Sequence, residues 1–161
     1  MEYELYLVSH LNQTTLKYLF SEIVSDVVGE QVKVSDDNYD DHCYVSCKYF
    51  SMSIETNDIY AIEYLREEYK MNIDTEISIQ LIAKTYVEGL EVLFKVFGKL
   101  IKKIQGDMVF EENGSRQLFR KEGDVLIVNT NLHPYQKQTM TEVLLGFLDF
   151  PYIEMDLSSV E

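Results

Sequence analysis

The sequence predicts a single α+β domain over residues 1–161, built on a largely antiparallel sheet with helices packed on it and a C-terminal three-strand meander. Three observations carry that class. Residues 73–81 alternate, with Ile73, Thr75, Ile77, Ile79 and Leu81 on one side and Asp74, Glu76, Ser78 and Gln80 on the other, which is the period of a strand with one dry and one wet face. Residues 84–105 place Val87, Leu90, Leu93, Phe94, Phe97, Leu100, Ile101 and Ile104 along one helical stripe. Asn113-Gly114 and Glu122-Gly123 then punctuate three short runs, as tight hairpins require. With no repeat or linker, the elements read βαβββαβαβββαβ. A chain of this length can bury roughly 68–70% of its unfolded surface around one core.

Residues 2–9 open as a half-buried strand, with Tyr3, Leu5 and Leu7 facing one way and Glu2, Glu4 and Tyr6 the other. Asn12 is a good N-cap, and Leu11 and Leu16 take the two positions of a hydrophobic staple. The helix that follows turns Leu16, Leu19, Phe20, Ile23, Val24 and Val27 inward until Gly29 ends it. A weak strand near 31–35 leads through an acidic loop, Asp36 to Asp41, into a strand at 42–49 and a partner near 51–55. Asp58 is placed to cap a short helix reaching about Tyr69, with Ala61, Ile62, Leu65 and Tyr69 inward. In the long helix, Lys99, Lys102 and Lys103 occupy the last turns, where the dipole favours cations, and Gly106 is its stop. Gly89 and Gly98 each cost about 1 kcal/mol relative to Ala in a helix interior, so close packing against a sheet is expected there. Strands at 107–112, 115–121 and 124–129 form the meander. Pro134 opens a last helix carrying Met140, Val143, Leu144, Phe147 and Leu148, and Pro151 starts a terminal strand with Ile153, Met155 and Leu157.

Acids outnumber bases 28 to 14, a net charge of −14, and residues 1–83 hold 16 of the acids against 5 bases. A surface for DNA, RNA or an anionic membrane must offset phosphate charge with Lys and Arg, so the balance points away from all three and towards either a basic partner or simply a soluble surface. Four residues of strand hold Cys43 and Cys47 about 13 Å apart, beyond the ~7 Å reach of a disulfide, so both read as free thiols suited to a reducing cytosol. The opening Met-Glu-Tyr-Glu lacks the basic and apolar regions of a secretory leader, and no apolar run approaches the ~20 residues of a membrane span. A cytoplasmic protein is expected.

Motifs with chemistry are scarce. Asp36, Asn38 and Asp40 match the first, third and fifth ligand positions of a calcium loop, but the sixth is Asp41 instead of Gly and the twelfth is Cys47 instead of Glu. Strand alternation sends His42 to the opposite face from Cys43 and Cys47, so the three diverge where metal ligands converge. His10 and His133 stand at element ends without a partnered nucleophile, and no dinucleotide fingerprint, P-loop or nucleophile elbow occurs. The expectation is a protein with no catalytic residues, no metal and no cofactor. Tyrosine is the outlier, 12 residues against no Trp. Tyr3, Tyr49 and Tyr69 fall in apolar phase. Tyr39, Tyr44, Tyr60 and Tyr64 fall among acids, out of phase with the core. An exposed Tyr offers large contact area at low entropy cost. The candidate partner-binding surface is therefore acidic and tyrosine-bearing: Asp36, Asp37, Tyr39, Asp40, Asp41 and Tyr44, with Tyr60, Glu63, Tyr64, Glu67 and Glu68 on the outer side of the 58–69 helix.

Several passages carry a family resemblance. They are the opening Glu2-Tyr-Glu-Leu-Tyr-Leu7 before a helix, the helix-to-strand passage Glu67-Glu-Tyr-Lys-Met-Asn-Ile-Asp-Thr-Glu-Ile-Ser-Ile-Gln-Leu81, and the long helix followed by Gly106-Asp-Met-Val-Phe110, Glu112-Asn-Gly114 and Asp124-Val-Leu-Ile-Val-Asn129. In element order, closing with Pro151-Tyr-Ile-Glu-Met-Asp-Leu157, the chain resembles the bacterial immunity proteins of swarming-inhibition (Sit) toxin systems. The stretch between Gly29 and Tyr49 resembles them least. The resemblance implies a protein that protects its producer by binding a cognate polymorphic toxin, and it transfers no toxin-contact residues. The rival readings are a non-catalytic interaction or adaptor domain and, behind it, an enzyme or small-ligand-binding protein, which needs a deep pocket with converging polar groups.

Overall fold

β1 (Glu2–Leu7), the first element of the chain, is the central strand of a nine-stranded sheet. The computed structural model describes residues 1–37, 42–114 and 116–159. Outward from β1 on one side come β5 (Thr75–Leu81), β4 (Phe50–Glu55), β3 (His42–Ser46) and β2 (Lys33–Asp37). On the other side come β6 (Met108–Glu112), β7 (Gln117–Glu122), β8 (Val125–Asn129) and β9 (Tyr152–Met155). All pairings are antiparallel except that of β8 with β9. The fold is α+β, and β6, β7 and β8 form the meander. Its turns are set by Asn113 and Gly114, both at positive φ, and by Gly123 at φ 58°.

One face of the sheet is dry because α1 (Gln13–Val28), α3 (Tyr86–Lys103) and α5 (Glu142–Phe147) cover it, with α3 touching both of the others. The Asn12 side chain accepts from the Thr15 N–H at 2.8 Å to start α1, and Gly29, at φ 76°, ends it. Under α3 the core is aromatic: Phe97 meets Phe110 edge to face at 4.9 Å between ring centres, and Phe110 lies against Phe119 at 5.1 Å. α2 (Ile62–Tyr69) packs alone on the opposite face. No described helix is long and apolar enough to cross a membrane.

Several local expectations are corrected. Asp58 does not cap α2: the N-cap is Ala61, left-handed at φ 56° with no side-chain cap and exposed, so it does not face inward. Asp36 and Asp37 belong to β2 instead of a loop. The last helix is two pieces, α4 (Pro134–Lys137) and α5, because Thr141 caps a new start by accepting from the Leu144 N–H. Val143 is consequently 68% exposed. Gly89 does pack against the sheet, where an added Cβ would meet Leu81 at 3.1 Å, but Gly98 faces the end of α5, where it would meet the Leu148 carbonyl oxygen at 2.7 Å.

Candidate interaction surface

Strand pairing assembles the wet sides of several strands into one surface. Asp37 stands opposite His42, Glu55 opposite Glu76, Glu76 opposite Tyr6, and Tyr6 opposite Val109. Beside that row run Ser35, Tyr44, Ser53, Ser78, Glu4 and Glu111. Two juxtapositions set like charges directly across from each other, Glu55 against Glu76 and Glu4 against Glu111, which destabilises an antiparallel pair. His42 Nε2 is 3.2 Å from Glu55 Oε2. The Glu76 carboxyl is pushed up to about 7, first by burial and then by Glu55, Glu4 and Glu111, with His42 opposing. Glu4 is also raised, by burial and then by Glu111. Among the described residues, no Lys or Arg forms an ion pair with Glu4, Glu55, Glu76 or Glu111.

α2 covers part of this face. Its Leu65 and Tyr69 join Tyr6, Ile59, Met71, Ile73 and Val109 in a second, smaller apolar cluster. Glu111 is buried with them: Tyr6 Oη donates to Oε1 at 3.1 Å and Tyr69 Oη donates to Oε2. Burial raises the Glu111 carboxyl, and the two hydroxyls oppose that rise. Buried Arg120 donates from Nη2 to the Tyr69 carbonyl at 2.8 Å, and Arg66 Nε donates to the Ile73 carbonyl at 2.9 Å. These bonds fix α2 at its C-terminal end. Its outer side presents Tyr60, 89% exposed, and Tyr64, 62% exposed, with Glu63, Glu67 and Glu68 also in solvent.

The residues expected from sequence to bind a partner separate into four groups. Tyr60, Glu63, Tyr64, Glu67 and Glu68 lie together on α2 and its approach. Tyr44 and Asp37 project from the open sheet face on the α2 side, Tyr44 meeting His42 edge to face at 6.4 Å. Asp36 goes to the other face, where Lys17 of α1 holds it at 3.0 Å. Tyr39, Asp40 and Asp41 lie outside the described residues. Between β3 and β1 the strand spacing leaves roughly 14 Å, and Glu55 and Glu76 occupy that gap on β4 and β5. Sequence reading missed them as site residues. Glu76 was visible as wet phase, but its position opposite Glu55 depends on strand pairing that the sequence does not disclose.

Burial pushes the Cys43 thiol up, away from the reactive thiolate, and His42 is on the opposite side of β3. Among the described residues no three His, Cys, Asp or Glu side chains gather in a way that could hold a metal ion. One open groove, between Gln13, Thr14, Lys17, Asp36 and His42, is mostly polar, and another, between Glu4, Tyr44, Ser53, Ser78 and Ile79, mixes polar and apolar lining. Comparison with models of known protein families, with curated proteins and with solved structures finds no match.

Proposed function

We propose that this chain is a non-catalytic, cytoplasmic immunity protein that binds a cognate bacterial polymorphic toxin and neutralises it through an acidic, tyrosine-bearing surface. The observation that carries the reading is the pairing of exposed Tyr60 and Tyr64 with Glu63, Glu67 and Glu68 on a helix that sits on the same side of the sheet as Tyr44, Glu55 and Glu76. Exposed tyrosines supply rigid contact area, and the surrounding carboxylates attract a basic partner and exclude phosphate-bearing ones. The resemblance to Sit-type immunity proteins supplies the class of partner. Stoichiometric occlusion requires no reacting group.

The test is to find whether a neighbouring reading frame encodes a toxin and, where it does, to co-express the two. Restored growth, together with a complex of the two chains that survives size exclusion, is the expected result. Growth arrest with no complex sinks the reading, and a stable complex with some other, non-toxic protein favours an adaptor role.

A further inference from the structure

We propose that the open half of the sheet, from β3 to β1, is a docking surface for a lysine- or arginine-bearing segment of the partner, with Glu76 and Glu55 receiving its cation beside Tyr44. This rests on the binding-protein reading and moves the centre of the surface from the acidic 36–41 stretch to the sheet itself.

The strand register supplies the first reason. Exposed antiparallel strands are stabilised by opposite charges across a pair and destabilised by like ones. Here two like-charge pairs, Glu55–Glu76 and Glu4–Glu111, lie in neighbouring rows of one face. The Glu4 carboxylate is held by the backbone N–H groups of Asn113 and Gly114, whereas Glu55 and Glu76 form no ion pair with a Lys or Arg of the described residues. An incoming ammonium or guanidinium supplies the missing counter-charge at Glu55 and Glu76.

The distribution of the chain's own cations supplies the second. Lys17, Lys99, Lys102 and Lys103 pair with Asp36, Asp26, Asp149 and Glu22, and on the α2 side Arg120 and Arg66 are taken up by the Tyr69 and Ile73 carbonyls, whereas β3, β4, β5 and β1 contain no Lys or Arg. The strands from β3 to β1 therefore present carboxylates with no Lys or Arg of their own on the side where Tyr44 and the α2 tyrosines also stand, and charge complementarity commits the occupant to a basic segment.

Docking is linked to a proton. Glu76 is faced by His42 from β3, Glu55 from β4, Glu4 and Tyr6 from β1 and Glu111 from β6, while Tyr69 and Glu68 of α2 act on Glu111. With its carboxyl pushed up to about 7, Glu76 holds a proton for part of the time at neutral pH. A cation seated on it favours the carboxylate, and the proton leaves to solvent. Affinity then rises with pH between about 6 and 8.

The probe is a synthetic nonapeptide of lysine and arginine, titrated into the full chain by calorimetry and by backbone amide shifts. The expected shifts fall on β3, β4, β5 and β1. Glu55→Gln with Glu76→Gln should weaken binding at pH 8 about threefold or more beyond a control of equal charge change, Glu88→Gln with Glu142→Gln. Glu76→Gln alone should flatten the pH profile, and His42→Gln should leave its slope. Equal losses in both double variants, or shifts spread over the helix-bearing face, overturn the docking surface. A flattened profile in His42→Gln with an unchanged one in Glu76→Gln overturns the proton linkage. If the peptide maps as expected yet no neighbouring reading frame encodes a toxin against which the chain protects, the surface stands and the immunity reading falls.

Discussion

Glu111 and Glu76 are carboxylates on one sheet face, and their surroundings give them different consequences. Glu111 depends on hydroxyl donors from Tyr6 and Tyr69. Tyr69→Phe removes one donor, which costs about 1.5–3 kcal/mol when the acceptor is charged and nearer 1 kcal/mol when it is neutral. Urea unfolding of Tyr69→Phe should therefore show a loss of about 1–3 kcal/mol, and an unchanged midpoint would mean that the hydroxyl does not support the carboxyl. For Glu76 the folded value, about 7, lies above the ordinary 4.5. The folded state holds the proton more tightly, so its contribution is whole below pH 4.5 and is lost as pH rises through 7. Glu76→Gln should accordingly match the parent at pH 4 and exceed it at pH 8 by roughly 1–2 kcal/mol, after allowance for partial exposure. A residue whose removal stabilises the fold is one that folding alone does not explain, which fits a binding role.

Between elements, backbone approach decides more than propensity. Gly106 links α3 to β6 where the chain after β1 passes: a Cβ there would lie 1.7 Å from the Val8 carbonyl oxygen, and Val8 N–H donates to the Asp107 carbonyl at 2.9 Å. Gly106→Ala must displace that crossing and should cost about 3 kcal/mol or more, read as a lowered urea midpoint; a change under 1 kcal/mol would show that the crossing yields. In the sequence Gly106 reads as a helix stop, which accounts for its place along the chain but not for the pressure from Val8. The same limit runs through the fold. Alternation and turn residues made β1, β5 and the meander legible, and the apolar stripe did so for α3, because each is encoded by neighbours in sequence. The break between α4 and α5 hangs on one Thr141 hydroxyl, and the left-handed Ala61 start of α2 has no propensity signal. The site was legible in part for the same reason. The outer tyrosines of α2 followed from helical phase, whereas Tyr6, placed in wet phase, is buried because α2 packs on that face, and Glu55 against Glu76 is a long-range pairing. Tyr60→Ala and Tyr64→Ala should leave stability within about 0.5 kcal/mol and weaken partner binding by roughly 1–3 kcal/mol, measured by calorimetry on the co-purified complex. Unchanged affinity in both would remove α2 from the interface.

Across the whole molecule, the net charge of −14 acts as a direction as well as a sum. Lysines of α1 and α3 neutralise acids on the helix-bearing side, through Lys17–Asp36, Lys99–Asp26 and Lys103–Glu22, and α3 also reaches Asp149 through Lys102. Those exposed pairs add little stability each, but they cancel charge where it would otherwise radiate. Among the described residues, Glu4, Glu55 and Glu76 on the open face form no ion pair with a lysine or arginine, so that face contributes to the long-range field. A field of this kind accelerates encounter with a basic partner more than it tightens the final complex. Raising salt from about 20 to 300 mM shortens the Debye length from roughly 20 Å to below 6 Å, which is less than the distance over which steering operates. The association rate should therefore fall by about tenfold or more across that range while the dissociation rate changes little, as stopped-flow mixing would resolve. Glu55→Gln with Glu76→Gln should reduce the salt slope, and Glu88→Gln with Glu142→Gln should not. A rate flat in salt would leave the acidity as a solubility device and return the choice of partner to the tyrosines alone.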